Sequence, residues 1–335
     1  MHKPRYVAAG ICLVLATVLV VPTPAAAAPA TGSTAVSSGL VPVYDADRGV
    51  AGMASGNAAA DIITGYWTPA RRATAIPARL VAPAVSDQAA PPAASTEKER
   101  LIAEPTKVDG ASVAVAFSHA EGRVFYRNPV TGTNHSCSAG TVNSGKRRLV
   151  MTAGHCVHGG SGGQWMQNWV FYPGYQNGAG PAGAFPAYQL WAQSAWMNNS
   201  NLGYDYAVAI TQTNAAGQRV VDRVGGNGLT VNPGRPFVTA IAYPSNFQNN
   251  EQQAFCQGTL SARSIFNRDQ KLNCDMRFGA SGGPWLRDYS DTSTLGIIVS
   301  NQSYSLNSDG SGPEYGPYYD NDTAALYNAA EAASP

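Results

Sequence analysis

Apolar positions fall into short runs over the second half of this chain and into no regular pattern over residues 29–107. Beyond about Val108, apolar or alternating stretches of four to six residues recur, separated by Gly, Asn and Pro. This spacing predicts many short antiparallel strands, as in a barrel or a sandwich. The predicted strands are 113–117, 123–126, 138–142, 149–152, 169–172, 206–210, 238–243, 259–262 and 295–300.

The end of the chain has a different pattern. Residues 322–332 are rich in alanine and follow Asn321, whose side chain would suit an N-cap. This pattern predicts a terminal helix. We therefore expect residues 108–335 to form one all-β domain that closes with a C-terminal helix.

Residues 29–107 have another composition. They are rich in Ala, Pro, Ser and Thr, contain no cysteine and show little strand-like alternation. Such a composition buries little apolar surface, so we expect a propeptide or a disordered linker. Basic residues at Arg71, Arg72, Lys98 and Arg100 would suit proteolytic processing.

Residues 1–28 have the layout of a secretory signal peptide. A basic start (His2, Lys3 and Arg5) precedes the apolar run 6–21 and the small residues 26–28. A membrane anchor is the alternative, but this run of 16 residues is shorter than the ~20 that a spanning helix needs. We expect a secreted, extracellular protein that has no membrane association once the signal is removed.

Cysteine usage agrees with secretion. Cys12 lies within the signal, and the remaining four, Cys137, Cys156, Cys256 and Cys274, can pair in three ways. In an oxidising compartment we favour Cys137–Cys156 and Cys256–Cys274, because both close short loops. A metal site is the alternative, but the sequence has no C-x-x-C and no clustered histidine pair.

Two motifs carry the candidate chemistry. The first is M-T-A-G-H-C at 151–156 and the second is G-A-S-G-G-P at 279–284. A serine hydroxyl needs an adjacent base to become a nucleophile, and His155 is the candidate base. Glycines around Ser281 permit positive φ, so the backbone N–H groups of Gly279 and Ser281 could converge on one developing oxyanion.

These motifs resemble those of the trypsin-like (chymotrypsin-fold) serine peptidases, T-A-x-H-C around the histidine and G-D-S-G-G-P around the serine. The resemblance covers roughly residues 108–335. The C-D-M sequence at 274–276 is similar to secreted actinobacterial peptidases distantly related to the glutamyl endopeptidases. The resemblance implies two six-stranded antiparallel β-barrels, Ser281 as nucleophile, His155 as base, an oxyanion hole at Gly279 and Ser281, and no metal or organic cofactor.

The resemblance also implies an acid between the histidine and the serine. Asp205 precedes the apolar run 206–210, like the D-I-A-L segment of the family. Asp222 is the other candidate, but its surroundings indicate a solvated loop, so we favour Asp205. The function implied is a serine endopeptidase that forms an acyl-enzyme. Its partners would be protein or peptide substrates and its own propeptide, and we expect a monomer.

The sequence constrains the substrate specificity less than it constrains the catalytic residues. Asp275, six residues before Ser281, occupies the spacing of the acid that selects Arg or Lys in trypsin, and it is a candidate substrate-binding residue. Cys274 and Met276 depart from the trypsin pattern, so we favour a role for Asp275 in holding its loop through hydrogen bonds. The strand expected at 296–300 has no histidine, which argues against a strict glutamyl preference.

Activation should differ from that of the digestive trypsins. There an Asp before the nucleophile pairs with a new amino terminus, whereas this chain has Ala280. A buried ammonium without a partner would be costly, so that switch cannot operate here. We expect packing around Gly279, the Cys256–Cys274 region and Trp285 to order the oxyanion loop. The propeptide would cover the cleft, assist folding, or do both.

Other functions fit the sequence less well. A catalytically silent homologue that serves as a binding module would be expected to lack a triad residue, and none is missing. An esterase of the α/β-hydrolase fold would have its serine first in G-x-S-x-G, whereas here the serine comes last. The net charge of +1 gives no reason to expect a nucleic-acid partner. His119, His135 and His158 lie in no such motif and are expected at the surface.

Overall fold

A computed structural model describes residues 35–46, 50–53, 56–82, 97–107, 117–264 and 269–335. The predicted signal peptide and all but the last residue of the predicted strand 113–117 lie outside the described residues. Within these ranges, no helix is long and apolar enough to cross a membrane.

Short strands dominate the secondary structure, as expected. The strands are β1 (Val36–Leu40), β2 (Pro42–Asp45), β3 (Val50–Met53), β4 (Ile76–Pro77), β5 (Arg100–Ala103), β6 (Glu121–Arg127), β7 (Asn134–Thr141), β8 (Leu149–Thr152), β9 (Gln167–Pro173), β10 (Phe185–Gln193), β11 (Ala207–Thr211), β12 (Gly228–Val231), β13 (Phe237–Ala242), β14 (Ala254–Thr259), β15 (Ser261–Ala262), β16 (Gln270–Leu272), β17 (Pro284–Ser290), β18 (Leu295–Asn301) and β19 (Glu314–Gly316). The α-helices are α1 (Gly56–Tyr66), α2 (Pro69–Ala73), α3 (Ser194–Asn199), α4 (Val220–Val224) and α5 (Asn321–Ala333).

Six strands close into an antiparallel barrel. Their order is β10, β11, β8, β7, β6 and β9, and β9 pairs back to β10. Closure pairs the strand edges within the barrel, and apolar side chains fill its interior. Phe125, Trp169, Phe171, Leu190 and Ile210 are completely buried there.

The second half of the domain contains two sheets. One has the order β14, β13, β17, β18, β12 and β5, and the other has the order β15, β16 and β19. Beyond Thr259, the N–H of Leu260 donates to the carbonyl of Pro236 (3.0 Å), which extends the pairing of β13 with β14 by one residue before β15 begins. Val238, Leu272 and Trp285 form part of a separate core here. The expected all-β class with a C-terminal helix is confirmed.

The terminal helix α5 begins one residue before the predicted start. Asp320, and not Asn321, is the N-cap: its carboxylate accepts the N–H of Asp322 (2.9 Å). The hydroxyl of Thr323 accepts the N–H of Asp320 in return, which completes a capping box. The buried Leu326 lies on the face of the helix that packs against the barrel.

The segment that precedes the barrel packs onto it. Strand β1 adds to the edge of β10, and β5 adds to β12. On α1, Ala59, Ile63 and Tyr66 are buried at helical spacing, and the indole N–H of Trp67 donates to the carbonyl of Asn168 (2.6 Å). The expectation that this segment buries little apolar surface is therefore wrong for its described residues. The averaged composition of this segment does not reveal the short apolar face of α1. The assignment of the segment as a propeptide remains a prediction.

Candidate active site

His155 lies in a short 3-10 turn, Gly154–Cys156, that directly follows β8. The Cys137–Cys156 disulfide, with 6.3 Å between its Cα atoms, joins this turn to β7. A Cβ on Gly154 would lie 2.9 Å from Oδ1 of Asp205, so only glycine allows the turn to approach this carboxylate so closely.

Asp205 is completely buried at the entrance to β11 and is surrounded by donors. Its Oδ1 accepts the backbone N–H of His155 (2.7 Å), and its Oδ2 lies 2.8 Å from Nδ1 of the same residue. The hydroxyl of Ser303 donates to Oδ2 at 2.5 Å. These contacts favour the imidazole tautomer with its proton on Nδ1. Nε2 is buried, has no hydrogen-bond partner among the described residues, and can therefore accept a proton.

The alternative acid, Asp222, has different surroundings. Its side chain is 38% exposed, and its carboxylate pairs with Arg219 (2.5 Å) and Arg147 (3.8 Å) on the surface. The structure brings Asp205, and not Asp222, to the imidazole of His155.

Ser281 lies in the loop before β17, flanked by Gly279 (φ 92°) and Gly282 (φ 84°). Its carbonyl accepts the N–H of Ser138 on β7 (2.8 Å). A Cβ on Gly282 would clash with the Ser138 carbonyl and with the Thr152 hydroxyl. The serine loop therefore packs against β7, which the disulfide joins to the His155 turn, and against β8, which precedes that turn.

Two hydrogen bonds orient the peptide bond between Phe278 and Gly279. The carbonyl of Phe278 accepts from the Ser245 N–H (2.8 Å) and from the Asn250 side-chain amide (3.3 Å). Because this carbonyl points inward, the N–H of Gly279 points out of the loop. The hydroxyl of Ser138 fixes the next carbonyl, that of Gly279, at 2.9 Å. None of these three hydrogen bonds was predicted from the sequence.

A small pocket lies beside Ser281. A cavity of about 10 Å³ remains there, and its lining includes Leu80, Met276, Gln302, Ser303 and Glu314. Glu314 is 1% exposed, and burial raises the pKa of its carboxyl group to about 9. Its oxygens accept the N–H of Met276 (3.0 Å) and the side-chain amide of Gln302.

The structure does not place Asp275 in the lining of this pocket. Its side chain is 51% exposed and lies 3.4 Å from the guanidinium of Arg277. It also accepts the N–H of Gly312 at 3.3 Å. Sequence reasoning missed Glu314, because an isolated acid in G-P-E-Y-G resembles an ordinary turn residue.

The described part of the N-terminal segment crosses this site. Strand β4 runs parallel to β7, and the N–H of Ala78 donates to the Ser136 carbonyl (2.8 Å). The carbonyl of Ala78 then accepts the N–H of Gly279 at 2.9 Å. Further along, Ser305 donates its N–H to Leu80 (3.2 Å) and accepts the N–H of Ala82 (3.0 Å). One backbone stretch therefore spans the cleft from β7 to the far side of the pocket.

The cysteines form both disulfides that the sequence favoured, Cys137–Cys156 and Cys256–Cys274. In the described residues, one group of three possible metal ligands occurs, namely Cys137, His155 and Cys156. Its two sulfur atoms are bonded to each other, so the group offers a metal a single ligand.

Among the other histidines, His119 is exposed and His135 is half-buried. His158 is only 6% exposed and stacks edge-on against Trp165, so the expected surface position is wrong for this residue. Its Nδ1 accepts the N–H of Gly160 (3.2 Å), which gives it a structural contact in the loop after the His155 turn.

Solved structures similar to this chain are proteases. The protease Anisep from Arthrobacter nicotinovorans shares 31% identity at a TM-score of 0.60, over 68% of this chain and 100% of Anisep. The thermostable serine protease AL20 from an extremophilic microorganism also shares 31% identity at a TM-score of 0.60, over 65% of this chain and 99% of AL20. A Glu endopeptidase has the same fold at 19% identity and a TM-score of 0.52, over 69% of this chain and 97% of its own.

No protein-family profile and no curated protein sequence matches the chain. The likeness to Anisep nevertheless spans that whole protein at 31% identity. It agrees with the closed six-stranded barrel, the additional sheets and the terminal helix described above. The chain therefore belongs to the chymotrypsin-fold serine endopeptidases.

Proposed function

We propose that this endopeptidase hydrolyses peptide bonds through Ser281, His155 and Asp205. The observation that carries the proposal is the buried carboxylate of Asp205, which contacts both the backbone N–H and Nδ1 of His155. This arrangement leaves Nε2 as a base beside the serine loop. The N–H groups of Gly279 and Ser281 are proposed to bind the oxyanion.

The mechanism follows from these roles. Ser281 attacks the scissile carbonyl while Nε2 of His155 takes its proton. The protonated imidazole, stabilised by Asp205, then gives that proton to the leaving amine. Water enters, loses a proton to the same nitrogen and attacks the acyl-enzyme, and Ser281 recovers its proton as the acid product leaves. None of these steps needs a metal or an organic cofactor.

The test labels the processed enzyme with a fluorophosphonate and measures kcat on a peptide substrate. We expect Ser281→Ala to abolish labelling and to lower kcat by several orders of magnitude. Asp205→Asn should lower kcat by about 10⁴, and the exposed Asp222→Asn serves as the matched control. Near-normal activity of the Ser281 variant would end this proposal, and a loss confined to Asp222→Asn would move the acid.

We also propose that residues 29–107 act as a propeptide whose 76–82 stretch inhibits the enzyme. The support is the contact of Ala78 with Gly279 and of Leu80 and Ala82 with Ser305. The carbonyl of Ala78 occupies the N–H of Gly279, which the oxyanion would need. Leu80 and Ala82 occupy the backbone N–H and carbonyl of Ser305 beside the pocket.

The direction in which residues 76–82 run suggests why the enzyme would not cleave them. Because His155 protonates the leaving amine, the leaving half of a substrate lies on the β7 side of Ser281. The 76–82 stretch instead reaches β7 with its N-terminal end, and the residues after Ala78 lead toward the pocket. Attack on the Ala78 carbonyl would leave the amine of Arg79 on the side away from Nε2.

A peptide with the sequence 74–84, added to the processed enzyme, tests this direction. We expect competitive inhibition with no cleavage of the bond between Ala78 and Arg79. In the full chain, Leu80→Asp should weaken inhibition because it puts a charged side chain in place of an apolar one in the lining of the pocket, whereas the 47% exposed Ile76→Asp is the control. Rapid cleavage of the peptide at Ala78, or equal effects of the two variants, would contradict the proposal.

Secretion is the remaining part of the proposal. It is supported by the signal-like residues 1–28 and by the two disulfides. Expression of the full-length Ser281→Ala chain, which cannot remove its own propeptide, should deliver protein to the medium that starts after residue 28, and mass spectrometry of the N-terminal peptide measures this. Retention of the uncleaved chain in the cell would contradict it.

A further inference from the structure

The lining of the pocket beside Ser281 contains two ionisable residues, Arg277 and Glu314, and their surroundings differ. The side chain of Arg277 is 37% exposed, and acids outside the pocket, Asp275 (3.4 Å) and Asp309 (3.8 Å), balance its charge. Glu314 is 1% exposed and forms no ion pair with any described residue. The pocket therefore contains one buried acid that lacks a cation.

The position of Glu314 is fixed by its backbone and by its hydrogen bonds. Strand β19 begins with this residue, which pairs with Leu272 on β16. Met276 and Gln302 each donate a hydrogen bond to its carboxyl group. These two donors leave further lone pairs on the carboxyl oxygens for a guest in the pocket.

Burial raises the pKa of the Glu314 carboxyl group to about 9, which favours its neutral form at neutral pH while the 76–82 stretch covers the pocket. With Leu80 in the lining, the cavity of about 10 Å³ has space for about one water molecule. Once the 76–82 stretch has left, the side chain of a substrate residue can enter this space.

We propose that Glu314 selects Lys or Arg as the substrate residue whose carbonyl Ser281 attacks, a proposal that rests on the proposed function. A cation that enters the pocket pairs with the carboxylate of Glu314, which releases its proton to solvent. Such a pair is favourable when further hydrogen bonds also satisfy the carboxylate, as those from Met276 and Gln302 do here. Once Glu314 has ionised, an acidic side chain would instead bring a second negative charge against the first.

The experiment compares peptide anilides that differ in one residue, Lys, Arg, Leu or Glu, before the scissile bond. We expect the processed enzyme to prefer Lys and Arg, with a Lys-to-Leu ratio of kcat/KM that rises from pH 6 to pH 9 as Glu314 ionises. Glu314→Gln should lower kcat/KM for Lys and Arg by about 10- to 100-fold and leave Leu within about threefold. Asp275→Asn is the comparison variant: Asp275 pairs with Arg277 and its charge adds to the raised pKa of Glu314, so we expect a change in these ratios much smaller than that of Glu314→Gln.

Each outcome decides between the two proposals. An unchanged Lys-to-Leu ratio in Glu314→Gln, or a preference of the parent enzyme for Leu or Glu, overturns the assignment. A collapse confined to Asp275→Asn moves the specificity acid to that residue. If Ser281 does not react with a fluorophosphonate, the proposed function itself has failed; normal labelling with an unchanged ratio means that only the specificity proposal has.

A second measurement needs no variant. We expect n-butylammonium to inhibit the parent enzyme competitively and more strongly at pH 9 than at pH 6, while n-butanol, which has the same chain without the charge, has little effect. Equal inhibition by the two compounds would overturn the assignment even if Glu314→Gln fails to fold.

Discussion

Asn250 offers the sharpest test of how the oxyanion loop is ordered. Its side-chain amide donates to the carbonyl of Tyr243 (2.7 Å) and to that of Phe278 (3.3 Å). The residue is 4% exposed and has φ of 62°, a conformation that Asn and Asp tolerate better than most residues. Asn250→Asp therefore preserves size and backbone preference, and replaces a donor with an acceptor that faces two carbonyls.

The hydrogen bonds that Asn250→Asp removes and those that it leaves set the expected losses of stability and of kcat. Loss of two hydrogen bonds at about 1 kcal/mol each lowers the free energy of unfolding by about 2 kcal/mol, and the buried carboxyl group left facing two carbonyls lowers it by about 1–3 kcal/mol more. If the Gly279 N–H were lost to the oxyanion altogether, kcat would fall by about 10²–10³. The Ser245 N–H and the Ser138 hydroxyl still hold the neighbouring carbonyls. We therefore expect the kcat loss to lie nearer about 10²-fold than about 10³-fold.

The assay measures kcat, KM and the binding of a peptide boronic acid, which forms a tetrahedral adduct with the serine. We expect kcat and boronate affinity to fall together while KM changes little, because the lost interaction belongs to the transition state. Asn249→Asp is the matched control, since Asn249 lies in the same turn, is exposed and has φ of 51°. An Asn250→Asp enzyme with normal kcat, or one whose KM alone rises, would refute the reasoning.

Three further predictions concern stability and activation. Burial raises the pKa of Glu121 to about 7, against 4.5 for the free side chain. The protonated acid therefore stabilises the fold at low pH, and this stabilisation is lost as pH rises from about 4.5 to about 7. Relative to Glu121→Gln, urea unfolding should show a loss of unfolding free energy on the order of 3 kcal/mol over this range, and parallel pH curves for the two proteins would contradict this. Replacing Cys137 and Cys156 by serine opens a loop with a sequence separation of 19 and should lower the unfolding free energy by about 3 kcal/mol, measured by thermal denaturation; an unchanged melting temperature would count against it. Because Ala280 has no charge for a new amino terminus, a few extra residues at the mature N-terminus should barely change kcat, whereas near-total loss that trimming restores would show that another acid receives the terminus.

Local sequence patterns in the second half of the chain predicted much of the fold. Turn residues between short apolar runs predicted the strands, and strand β8 was predicted at its observed bounds. The histidine and serine motifs placed His155 and Ser281 in turns that only glycine permits at Gly154 and Gly282. Such features depend on residues adjacent in sequence, so the sequence displays them directly. The N-cap of α5 differed because Asp320 and Asn321 are both suitable caps, and the capping box that Asp320 forms with Thr323 favours the first.

Only the tertiary structure decided what surrounds these turns. Glu314 lies 33 positions beyond Ser281, and its burial beside the serine loop depends on the pairing of β19 with β16. Asn250 and Ser245 reach the oxyanion loop from a separate turn, through contacts with backbone carbonyls that have no sequence signature.

The N-terminal segment makes the same point at a larger scale. Its composition suggested little apolar burial, yet β1 and β5 each complete a sheet edge and Ala78 meets Gly279 some 200 positions later in the chain. A periodic pattern tells which face of an element is apolar, but not which distant element will cover it. Long-range hydrogen bonding and packing determine that choice, and they decide which backbone crosses the cleft and in which direction it runs.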